Sequence, residues 1–199
     1  MFKFNKNTLE LLHKVGWSEN RHFFSADEYI KALEDEDFYV SVAVKEFLSV
    51  FGGLSVRHPH AKLKEKTDYF HFNVTEAIDS GDPTWVSEEY SDRVGKRLCI
   101  IGEAFRRSMV LCMSENKEVY AGADEFLFFV GESPESAIEA LCNGDDLKEM
   151  PEHNELPFSE KILSQEAATR RMETRIKQQG SPASERTGCC DNIIEIAGI

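Results

Sequence analysis

Residues 44–56 read VKEFLSVFGGLSV, and the two glycines divide one kind of chain from another. Before Gly52 the apolar residues Val40, Val44, Phe47, Leu48 and Phe51 recur at the spacing of a helix that buries one side. After Gly53 the chain becomes extended at LSV. The pattern predicts a helix over about 38–51, with Gly52 in the left-handed conformation that ends a helix. Gly53 then frees the backbone to turn into a strand. The double glycine is a corner between helix and sheet.

Two more helices are expected upstream. Asn7 with Glu10 three residues on forms a capping-box-like start; Leu9, Leu12 and Val15 make the stripe, and Gly16 stops it. In SADE, Ser25 can cap while Glu28 reaches back, and Ala26, Ile30 and Leu33 share a face. This second helix runs out in EDED, residues 34–37. Four negative charges at a helix C-terminus oppose the dipole, so local stability does not explain them.

Downstream the period becomes two. DYFHFNV (68–74) alternates, with Tyr69 and His71 facing opposite to Phe70 and Phe72. KRLCIIG, SMVLCMS, VYAG and EFLFFVG read as further strands, with SENKE (114–118) as a hairpin turn. TEAIDSG and WVSEEYSDRVG read as short helices or turns. In GESPESAIEALCNG, Ser133 caps a closing helix, Pro134 takes its first position, and Asn143 and Gly144 stop it. The fold class is α+β: N-terminal helices followed by a largely antiparallel sheet covered by helices. Residues 1–147 form the domain, and 148–199 a polar tail, disordered or partly helical near 159–179.

The 199 residues carry 36 acidic against 23 basic side chains, a net charge of −13, of which −11 falls within residues 1–147. Such a field repels phosphate backbones, which argues against nucleic-acid binding; it attracts a basic protein, or simply keeps the chain soluble. No apolar run approaches the roughly 18 residues of a membrane span. MFKFNKNTLELLHK lacks the apolar core of a signal peptide, so a cytoplasmic location is expected. Of five cysteines, Cys99, Cys112 and Cys142 lie singly in apolar surroundings, as reduced core thiols do, and Cys189 and Cys190 are vicinal in the tail. No C-x-x-C spacing suggests structural zinc.

Candidates for chemistry are few. His58, His60 and His71 with Asp68 could converge on a metal, but Pro59 suggests that the first two are surface-loop histidines. Cys99 or Cys112 could pair with His71, although thiols in apolar strands are inert. Nucleophile-elbow and phosphate-loop motifs are missing. The acidic groups Glu34–Asp37, Glu88 with Glu89 and Asp92, and Asp124 with Glu125 read as solvated faces or as acid pairs. Trp17 and Trp85 read as lids on the core or as interface anchors. Neither a cofactor nor a metal is expected.

Taken together, LLHKVGWSENR, VKEFLSVFGGL, FHFNVTEAI, GKRLCIIGEAF and VYAGADEFLFFVGESPESAIEALCNG resemble, in that order, the third subfamily of the SUKH superfamily of bacterial immunity proteins. The likeness covers about residues 8–145, and the tail lies outside it. One departure is Asn20 before Arg21, where the family pattern has glycine. The resemblance implies a non-enzymatic protein of a polymorphic toxin system, which neutralises a cognate toxin, often a nuclease. It also implies that Gly16, Trp17, Gly52, Gly53 and Gly131 preserve the scaffold. A basic toxin would meet the acidic surface, for which Glu34, Asp35, Glu36, Asp37, Glu88, Glu89 and Asp92 are the expected contacts. The alternative within the superfamily is a regulatory or scaffolding module, similar to fungal cell-wall regulators.

Overall fold

The computed structural model describes residues 2–23, 25–60, 63 and 65–151. The helix expected near 159–179 and the pair Cys189 and Cys190 lie outside the described residues. The fold is α+β, with N-terminal helices and a seven-stranded antiparallel sheet.

Helix α1 spans Lys6–Lys14 and is capped by Asn5, whose side chain accepts from the Thr8 N–H, rather than by Asn7. Helix α2 spans Ala26–Asp35; Ser25 sits at its N-cap but makes no side-chain bond there. Helix α3 spans Val42–Phe51, four residues shorter at its start than the apolar stripe predicts. Ser41 accepts from the Val44 N–H and fixes the start, so Phe38 and Val40 enter the core from the preceding link.

The corner forms, with its two glycines in exchanged roles. Gly52 is extended (φ −50°, ψ 141°), and Gly53 takes the left-handed conformation (φ +73°). A Cβ on Gly52 would lie 2.5 Å from the Leu48 carbonyl oxygen and 2.6 Å from the Phe23 ring. Gly52 is therefore required for close approach, and Gly53 for conformation. Arg21 completes the corner by donating to the Val50 and Gly52 carbonyls, the latter at 2.7 Å. These are carbonyls that the end of α3 leaves without helical partners.

The sheet runs in chain order: β1 (Ser55–Pro59), β2 (Thr67–His71), β3 (Leu98–Ala104), β4 (Met109–Ser114), β5 (Val119–Ala123), β6 (Phe126–Gly131) and β7 (Lys148–Glu149). Helix α4 (Val74–Ser80) follows β2. Helix α5 begins with π-helical turns at Trp85–Tyr90 and continues as Ser91–Val94. Helix α6 (Pro134–Asn143) has Ser133 as its cap, Pro134 in its first turn and Gly144 left-handed at its end. It packs against both β6 and β1. Five strand spacings laid flat would span about 24 Å, more than twice a helix diameter of about 10 Å. The sheet must therefore curl so that α6 reaches both strands.

The core joins this sheet to an aromatic group from the helices. Trp17 stacks on Phe51 at 6.0 Å, and Phe47 meets Phe72 edge-on at 4.9 Å. Trp17 is buried, as a core lid should be, whereas Trp85 is 37% exposed.

Candidate functional site

Strand β3 is buried along its whole length, yet it carries a carboxylate, Glu103, only 3% exposed. Such a charge must be met by hydrogen bonds or opposite charge. Its position follows from the neighbouring glycine. The register of β3 against β4 shifts between Ile100 and Gly102, and β2 pairs with β3 only at His71↔Glu103. A Cβ on Gly102 would lie 1.9 Å from the His71 carbonyl oxygen. Only glycine lets the two strands approach there.

Three side chains meet Glu103. His71 Nε2 lies 2.8 Å from Oε2, Arg107 Nε lies 2.9 Å from the same oxygen, and the Ser80 hydroxyl donates to Oε1. Arg107 Nη1 is 3.5 Å from Glu76 Oε2, so one guanidinium bridges two carboxylates. The β3–β4 turn aims it: Phe105, Arg106 and Arg107 all have positive φ, at 52°, 59° and 68°. Three successive non-glycine residues in this region are strained, and the ion pair helps to hold them.

The protons can be assigned. The Asn73 backbone N–H donates to His71 Nδ1 at 3.2 Å, so Nδ1 is bare and Nε2 carries the hydrogen given to Glu103. This limits what the cluster can do. His71, Glu76 and Glu103 offer ligand atoms within 4.8 Å of one another. However, Nε2 is protonated and Arg107 already supplies the cation; a metal would have to displace both. Nor is this a nucleophilic triad: Ser80 gives its proton to Glu103, and neither His71 nitrogen is a free base. The group closes the seam between β2 and β3.

A cleft of about 380 Å³ opens beside the cluster, lined by Asp82, Trp85, Tyr90, Glu103, Arg107 and Asp124 among others. Tyr90 approaches β5 closely because residue 122 is glycine: a Cβ there would be 2.3 Å from its ring. The Tyr90 hydroxyl donates to the Asp124 carbonyl at 2.7 Å. Its pKa is raised, first by burial, then by Cys112 and Asp124. The π-helical start of α5 is tied down by Ser91, whose hydroxyl donates to the Val86 carbonyl at 2.8 Å and accepts from the Leu98 N–H at 3.0 Å.

The residues singled out in the sequence are dispersed. Glu34, Asp35, Glu36 and Asp37 are exposed at the end of α2, with Glu34 3.5 Å from Lys45 and Asp37 at positive φ. Glu88 and Glu89 are exposed on α5, and Asp92 is partly buried. Helix α2 packs on α3 and α4, whereas α5 packs on β3, so the two acidic stretches stand on different supports. Among the scaffold glycines, Gly16 has φ +85°, and a Cβ on Gly131 would lie 2.5 Å from the Ala137 nitrogen.

Of the two histidines read as loop residues, His60 does follow the end of β1, whereas His58 does not fit that reading. His58 is buried within β1, opposite Asp68, with Nδ1 3.1 Å from the Pro59 carbonyl; burial lowers its pKa. Pro59 is tolerated at the end of β1, an edge strand. Cys99 and Cys112 are buried thiols whose pKa values burial raises far above the ordinary range, and Cys142 is pushed up to about 12. His71 is engaged with Glu103, not with a thiol. Sequence reasoning overlooked Glu103 and Arg107. The available signal was a lone acid inside the apolar run RLCIIGEAF.

The class these features define is an α+β scaffold whose buried Glu103 is matched by His71, Arg107 and Ser80, with many exposed acids on its helices and turns. A family model described as SUKH-3 immunity protein matches residues 4–144, and the chain belongs to that family. No curated protein and no solved structure matches it. Among the described residues, no helix is long and apolar enough to cross a membrane.

Proposed function

We propose that this protein acts in the cytoplasm as an immunity protein, binding a cognate toxin of a polymorphic toxin system and blocking it without transforming any substrate. The family match over residues 4–144 carries this reading. Two further observations support it. The one buried charge cluster described above has its donors and acceptors committed to one another, which suits a structural role. The net charge of −13 favours a basic partner. A nuclease fits that description, because its groove must attract phosphates and would equally attract carboxylates.

Glu34, Asp35, Glu36 and Asp37, with Glu88, Glu89 and Asp92, are the proposed contacts, and Gly16, Trp17, Gly52, Gly53 and Gly131 the proposed scaffold positions. The test is co-expression with the toxin encoded beside the gene. Survival is expected with the native chain and death without it; death in both sinks the proposal.

A further inference from the structure

Resting on the reading of this chain as a toxin-binding protein, we infer that the cleft between α5 and the β4–β5 strands receives an arginine side chain of the partner, its guanidinium stacked on Trp85 and forked to Asp82 and Asp124.

Three features of the cleft point to a guanidinium. The first is an aromatic wall: the Trp85 indole is 37% exposed, and its ring lies 5.8 Å from that of Tyr90. Arginine stacks on such a face and loses less hydration there than lysine does. The second is the charge balance. Asp82, Glu103 and Asp124 line the cleft, and the lining cation Arg107 is held by Glu103 and Glu76. Asp82 and Asp124 have no ion pair among the described residues; Asp82 Oδ1 only accepts the Thr84 N–H at 2.9 Å. The third is rigidity. Asp124 sits at φ +48° with its carbonyl held by Tyr90, and the turn is fixed before any partner arrives. A preformed site loses little entropy on binding. About 380 Å³ accommodates one such side chain together with water.

The cleft can be tested without the toxin. n-Butylguanidinium mimics the arginine side chain, and n-butylurea has the same shape without the charge. The chain has two tryptophans, and Trp17 is buried, so its indole N–H resonance is an internal control for that of Trp85. Titration with n-butylguanidinium should shift the Trp85 signal saturably in the millimolar range and leave Trp17 in place. n-Butylurea should leave both unmoved. The double variant Asp82→Asn, Asp124→Asn retains the acceptor for Thr84 and should bind about tenfold more weakly or less.

Absence of a saturable Trp85 shift, or an equal response to n-butylurea, overturns the inference. So does a shift driven by protein concentration alone, which would place a second copy of the chain in the cleft. Each of these leaves the immunity reading standing. Failed protection with guanidinium binding intact would sink that reading and not the cleft.

Discussion

Glu103 and Glu36 are the same side chain in opposite situations. Glu103 is sealed in β3 with His71, Arg107 and Ser80 around it, whereas Glu36 is exposed at the end of α2, where the helix dipole disfavours it. The first carboxylate serves the fold, and its removal would strand the Arg107 cation and the His71 N–H. The second serves the fold poorly, and the proposed toxin contact would give it a role outside the fold. An acidic protein can thus keep two populations of carboxylate, one structural and one displayed.

The largest effect expected on the structural side is at Gly102. Gly102→Ala drives a Cβ into the His71 carbonyl, and backbone cannot step aside cheaply. Loss of about 4 kcal/mol or more is expected in urea unfolding, enough to unfold a marginal domain. Glu103→Ala comes next. It leaves Arg107 and the His71 N–H beside an emptied buried site and should cost about 3–5 kcal/mol. Arg21→Ala, which bares the carbonyls at the end of α3, should cost about 1.5–3 kcal/mol.

A pH series separates His58 from the acids. Its native pKa is lowered by burial, although Asp68 pulls it back up, so the unfolded chain takes up its proton first as pH falls. Stability should be flat well above the ordinary histidine pKa of about 6.5 and decline as pH falls through that value, until the native His58 also takes up its proton. His58→Gln should flatten that decline; an unchanged slope would show that another group is responsible.

The smallest stability change tests the displayed side most sharply. Asp35→Lys with Glu36→Lys reverses the unfavourable dipole interaction and should raise stability by about 0.3–1 kcal/mol. The same pair should weaken toxin binding and reduce its salt dependence. A variant that is both less stable and equally protective would erase the distinction between the two carboxylate populations.

What could be read from the sequence follows the range of the interactions. The corner at Gly52 and Gly53, the Ser133–Pro134 start of α6 and the alternation of β2 depend on neighbours in the chain. All three were visible, down to an error over which glycine turns left-handed. The junction of His71, Ser80, Glu103 and Arg107 depends on two strands meeting at a single register pair. Nothing local marks it except an acid within an apolar run. Likewise His58 seemed a loop residue because a proline follows it, and only the position of β1 at the sheet edge explains how a strand accommodates that proline. The cleft needed Gly122 under Tyr90, a pairing separated by 32 positions in the chain.

The central claim is that this protein acts by occupying its partner. The direct measurement is to mix the purified chain with the toxin encoded beside it, isolate the complex, assay the toxin, then separate the two at high salt and assay the toxin again. Inhibition within a stoichiometric complex, followed by recovery of a chemically unaltered and active toxin, is the predicted result. A toxin that returns cleaved, modified or permanently inactive, or that never forms a complex, would contradict the account.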